Sequence, residues 1–170
     1  MVRWGLGVRI LHWMTVLILI AQLVVVFGLQ GPGMAMMIWM PWHLSLGVAL
    51  LGVVLLRLAL RTFPRPKTAS IGWIVGAMQT ALYLTLIAVT LTGWFAYRPS
   101  GLAPTPLLFG LLPMRPVHLS LSVPWASWHR ALVWALLALV AAHVAIALYH
   151  FAILKDRVLH LMLFGRVDKS

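Results

Sequence analysis

Cysteine is absent from the 170 residues, and acidic residues nearly so, with only Asp156 and Asp168. The first absence excludes disulfides, thiolate metal sites and iron–sulfur ligation. The second leaves thirteen Lys and Arg almost unopposed, at a formal net charge of +11. Charged residues make up only 9% of the chain, against about a quarter in ordinary soluble domains. Most of the surface must therefore face something other than water. No Asp or Glu precedes Asp156, which excludes a transporter that relays ions or balances cations through a buried carboxylate. In a soluble protein such a basic balance points to nucleic acid. Here the basic residues lie beside apolar runs, so the membrane surface is the partner they indicate.

What fills the chain instead is apolar: 63% of residues are hydrophobic and the mean hydropathy is +1.01. Four stretches are each long enough to cross a bilayer, which takes about 20 helical residues. They are expected at about residues 8–29, 39–61, 74–97 and 125–154, giving an all-α integral membrane four-helix bundle and a single domain over 1–170. The first run is too long for a signal-peptide core and no small-x-small cleavage site follows it, so it reads as a retained helix. The segment 98–124, with six prolines, is the one long loop, expected to hold a short interfacial helix.

Basic residues set the orientation. Arg3, Arg9, Arg57, Arg61, Arg65, Lys67, Lys155, Arg157, Arg166 and Lys169 fall on one side of the expected bundle. Only Arg98, Arg115 and Arg130 fall on the other. Both termini are therefore expected on the cytoplasmic side of the membrane. Trp39, Trp42, Trp94, Trp125 and Trp128 are expected as an aromatic belt at the outer interface.

Ionisable residues inside a membrane are costly, so each asks for a reason. His129 and His143 stand fourteen apart on the fourth helix, which puts both on one face, roughly 21 Å apart along the axis. Depth then decides their partners. His43 and His129 each lie a few residues into helices that run inward, so both are at the outer level. His12 lies early in a helix that runs outward, level with His143. The expected pairs are His43 with His129 and His12 with His143, each able to hold one haem b by two imidazoles. That ligation leaves no open iron position and suits electron transfer rather than oxygen binding. Gly47, one turn beyond His43, leaves room for a porphyrin face, and Arg57 and Arg61 are candidate partners for haem propionates.

A lone histidine near a helix end is ordinarily an interfacial hydrogen-bonding residue, and it is the matched depths of four that raise the ligand reading. His118 and His160, in the loop and the tail, keep the ordinary role. His150, seven beyond His143, is either a snorkelling interfacial residue or the donor to a quinone carbonyl. Met34, Met36, Met37 and Met40 read as interfacial filler, with copper binding the lesser alternative.

Leu11-His12-Trp13, His43 with Gly47, Arg57 and Arg61, and Ser127-Trp128-His129 with His143, His150 and Lys155-Asp156 together resemble the bacterial cytochrome b561 family. The resemblance runs through almost the whole chain and implies four-helix dihaem proteins whose ligands fall on the same four histidines. It implies electron exchange with ubiquinone and, in one branch, a superoxide oxidase that passes electrons from periplasmic superoxide to ubiquinone. For that activity Arg98, Arg115 and Arg130 are candidates for steering the anion, or merely anchor the interface. Helix three departs from some relatives, carrying Gln79 where they have histidine, although Tyr83 remains. The alternative function is a membrane-anchor electron-transfer subunit of a larger dehydrogenase or hydrogenase. Short loops and the lack of a docking tail favour a free-standing oxidoreductase without an obligate protein partner.

Overall fold

A computed structural model describes residues 5–29, 33–61, 73–98, 107–113 and 123–155. They form α1 (Leu6–Leu29), α2 (Gly33–Arg61), α3 (Trp73–Ala96) and α4 (Trp125–Ala152), with a two-stranded hairpin of β1 (Leu107–Leu108) and β2 (Leu112–Pro113) before α4. All four helices are long and apolar enough to cross a membrane. Their outward faces confirm the solvent they were built for: Trp134 is 73% exposed, Phe27 71% and Leu17 64%. Lipid, not water, accommodates such side chains, and only helices that satisfy their own backbone can stand in it. The fold is thus the all-α four-helix membrane bundle expected from the apolar runs.

Two boundaries differ from expectation for local reasons. Helix α2 starts at Gly33 instead of near Trp39 and contains Pro41. Alanine and methionine at 34–37 have good helix propensity and extend the helix beyond the apolar run. Membrane helices tolerate an internal proline where side chains re-satisfy the backbone, and Ser45 Oγ donates to the Pro41 carbonyl at 2.7 Å. At the far end of the chain, α4 stops at Ala152 because Lys155 takes a left-handed φ of 51°.

The short helix expected in the 98–124 loop does not occupy residues 107–113, which form the hairpin instead. Phe109 and Gly110 take φ of 51° and 74°, a left-handed turn that suits a tight β-connection and stops a helix. The Phe109 backbone N–H donates to Ser45 Oγ at 2.9 Å, pinning the hairpin to α2 two residues from His43.

The helices associate as two antiparallel pairs, α1 with α2 and α3 with α4, joined by a thinner seam between α2 and α3. Side chains fix the register of the first pair. Gly7 approaches Leu60, Arg57 Nη1 donates to Thr15 Oγ1, Gln22 Nε2 donates to the His43 carbonyl, and Gly28 lies under the Trp39 ring. Among the described residues, α4 has no comparable backbone seam with α1 or α2. Midway along the bundle, Leu50, Val54, Leu86, Val89 and Leu136 make an apolar layer. Leu136 is seven residues from both His129 and His143, so that layer separates the two histidine levels.

The closest approach in the first helix pair is the most fragile one. A Cβ on Gly28 falls 2.7 Å from the Trp39 ring. Gly28→Ala is expected to destabilise the bundle by about 1–3 kcal/mol through overpacking, read as a lower thermal midpoint in detergent. Gly52→Ala, which meets nothing within 4 Å, is the control expected to leave that midpoint in place.

Candidate functional site

The gap between α4 and the α1–α2 pair is bridged at two heights by facing imidazoles. The rings of His12 and His143 have centroids 6.3 Å apart with planes at 62°. Those of His43 and His129 are 6.1 Å apart at 88°. Imidazole nitrogens bond a first-row metal at ~2 Å, so two rings on opposite sides of one metal have centres about 6 Å apart. Both observed separations match that spacing. Rings in direct packing contact could close to a shorter distance.

Each ring is held differently. His129 Nδ1 lies 2.9 Å from the Val89 carbonyl. A carbonyl only accepts, so Nδ1 carries the proton and Nε2 keeps its lone pair. The ring also rests on bare backbone: a Cβ on Gly93 would stand 2.8 Å from His129 Cε1. Helix α3 thus sets the tautomer and the plane of the His129 ring. His43 is fixed through its backbone, whose carbonyl receives the Gln22 amide at 2.9 Å, while its Nδ1 is buried without a partner.

At the other level the surroundings are cationic. Arg57 Nη2 sits 3.4 Å from His12 Nδ1, at the long limit of a hydrogen bond. Arg57 Nη1 donates to Thr15 Oγ1 at 3.1 Å, its guanidinium lies 5.5 Å over the Tyr83 ring, and its Nε is buried without a partner. Thr15 Oγ1 in turn donates to the Leu11 carbonyl at 2.7 Å. None of these partners is an anion.

The other residues singled out in the sequence are dispersed. The Arg61 side chain and all of Arg115 lie outside the described residues, as do His118 and His160. Arg98 and Arg130 are exposed near the His43–His129 end, and Arg98 Nη1 donates to the Phe95 carbonyl at 3.0 Å. His150 is half-buried one residue from Tyr149, with ring centroids 6.3 Å apart. Gly47 faces Gln22 Nε2, which a Cβ would meet at an ordinary 3.7 Å. Trp42 and Trp128 are exposed as an aromatic belt requires, but Trp94 and Trp125 turn inward with buried, unpartnered indole N–H groups.

These features test what group the site fits. Among the described residues no three His, Asp or Glu converge to hold a bare metal ion. Two facing imidazoles would hold the iron of a porphyrin, which brings its remaining ligands with it. The gap beside α4, the ring separations and the orphaned donors of Arg57, Trp94 and Trp125 all fit such a group. Gln22, Val89, Gly93 and Ser45 were not foreseen as parts of the site. A lone glutamine in an apolar helix and a glycine inside another are visible signals, but their partners are not.

Fold and site together define a multi-pass membrane protein whose helices bring two pairs of histidines face to face. Residues 3–165 match the prokaryotic cytochrome b561 family, and the chain belongs to it. It is accordingly a membrane b-type cytochrome of electron transfer, binding haem b. Comparison with curated proteins gave no match.

Proposed function

We propose that this chain is a dihaem cytochrome that moves electrons across the bacterial inner membrane from superoxide, or another periplasmic one-electron donor, to ubiquinone. The observation that carries the reading is the pair of imidazole gaps, 6.3 and 6.1 Å between centroids, at two heights of one membrane bundle. On this reading His12 and His143 hold the inner haem, His43 and His129 the outer one, and residues 1–170 act as one cytochrome domain with cytoplasmic termini. Bis-imidazole haem supplies reversible one-electron chemistry with no open iron position.

The remaining residues take roles around that frame. Arg57, whose unpartnered Nε lies inside a bundle without acids, is the partner for an inner propionate, with Arg61 beyond it. Arg98, Arg115 and Arg130 give the outer face a positive potential that draws an anion inward. His150 offers a quinone carbonyl a donor near the cytoplasmic surface. Overall, two superoxide anions lose one electron each and become dioxygen, and ubiquinone takes those two electrons and two protons to become ubiquinol. No protein partner is required for this cycle.

A pyridine haemochrome assay on the detergent-purified protein should count two b haems per chain. His129→Leu should remove one of them and leave the His12–His143 haem in place; an unchanged count would sink the pairing. The donor assignment is tested separately. Arg98→Glu with Arg115→Glu should slow haem reduction by superoxide several-fold at low salt, with the difference shrinking as salt screens the field. An unaltered rate in both conditions would remove steering from the account.

A further inference from the structure

The two ligand pairs are alike in residue type but not in what stands behind them. At the His43–His129 level the ligand's second nitrogen donates to a neutral acceptor, the Val89 carbonyl, at 2.9 Å. A hydrogen bond of that kind raises the basicity of a metal-bound imidazole and orients its ring. A more basic ligand favours the more positive iron, that is, the oxidised state. At the His12–His143 level the nearest polar neighbour is a permanent cation. Arg57 keeps its charge at any physiological pH, and its guanidinium stands 3.4 Å from His12 Nδ1. No acid precedes Asp156 to cancel it. A cation in a low-dielectric interior disfavours the more positive iron and so favours the reduced state.

Resting on the ligand pairs proposed above, we infer that Val89, Gly93 and Arg57 make the two haem sites unequal. They lower the reduction potential at His43–His129 and raise it at His12–His143. An electron shared between the two sites then resides on the His12–His143 iron; as one iron is reduced the other is oxidised, and no proton is involved. Electron flow from the His43 end to the His12 end is thus downhill within the protein, before any donor or acceptor acts. The charges at the other end do not reverse this. Arg98 and Arg130 are exposed, where salt screens them over ~10 Å, whereas Arg57 is held between helices by Thr15 and Tyr83. If Arg57 pairs with an inner propionate, its loss leaves that anion uncompensated, and the expected shift keeps the same sign.

Positions behind ligands also have a lever on α3. Gly93 lets the His129 ring reach the Val89 carbonyl, because any Cβ there stands within 3 Å of it. Gly93→Ala pushes the ring away and weakens the bond that lowers the potential. Gly76→Ala on the same helix meets nothing within 4 Å and controls for the glycine substitution itself.

The test is an equilibrium redox titration of the purified holoprotein in lipid nanodiscs, followed in the haem α-band. Wild type should titrate in two components, and the component remaining in His129→Leu, assigned to His12–His143, should be the higher one. Arg57→Gln should lower that component and leave the other in place, while Arg57→Lys should restore most of the shift. Gly93→Ala should raise the lower component with its low-spin spectrum retained, and Gly76→Ala should move neither. If Arg57→Gln cannot be purified with haem, the Gly93→Ala titration alone decides the His129 half. Coincident components, a reversed order, or potentials indifferent to both Arg57→Gln and Gly93→Ala would overturn the gradient. A His129→Leu protein that keeps both haems overturns the ligand pairs themselves, which separates that failure from failure of the gradient.

Discussion

The constraint on which this structure turns is the gap that α4 keeps from α1 and α2, crossed at two heights by facing imidazoles. Helices in lipid lack the hydrophobic drive that closes a soluble bundle, so close packing and polar bridges decide which neighbours meet. Here those devices are spent inside the two antiparallel pairs. Gly28 beneath Trp39, Gln22 on the His43 carbonyl and Arg57 on Thr15 lock α1 to α2. Gly93 beneath His129 and the Val89 carbonyl lock α3 to α4. Between the pairs the two imidazole couples face each other, and the apolar layer around Leu50, Val54 and Leu136 lies between their levels.

That division matches the spacing of the two histidines on α4. Fourteen residues is close to a whole number of α-helical turns, so His129 and His143 share a face without any bend in α4. Leu136, buried between them, keeps the two levels apart. The partners come from helices of opposite direction, His12 as the seventh residue of α1 and His43 as the eleventh of α2, each in the first half of its helix. Because α1 and α2 are antiparallel neighbours, histidines early in each necessarily lie at opposite ends of the bundle. The heights at which α4 needs partners are the heights that a short connection between α1 and α2 provides.

Much of this is legible in the sequence because it depends on period and length. The four spans follow from apolar runs, and the meeting of His12 with His143 and His43 with His129 follows from direction and depth. What is not legible depends on backbone groups and on neighbours distant in the chain. The Val89 carbonyl has no sequence signature, and Gly93 is one glycine among thirteen. The hairpin at 107–113 rests on left-handed backbone at Phe109, a residue type that gives no warning of it. Arg57 stands at the His12 level, and that its partners there are Thr15, an imidazole and the Tyr83 face could not be read from spacing.

The scarcity of acids has a second consequence on the proposed reading. Reduction of a quinone consumes protons as well as electrons, and carboxylates are the usual relays through a membrane interior. This chain has none before Asp156. Imidazoles that bind iron through one nitrogen and donate from the other, as the Val89 bond requires of His129, have no free position for a travelling proton. The bundle therefore offers electrons two stations and protons no chain of carriers. On that reading electrons and protons meet at the end of α4, where His150 sits beside Tyr149 and the helix gives way to Lys155. On the proposed reading, proton uptake is left to the face at which the electrons arrive.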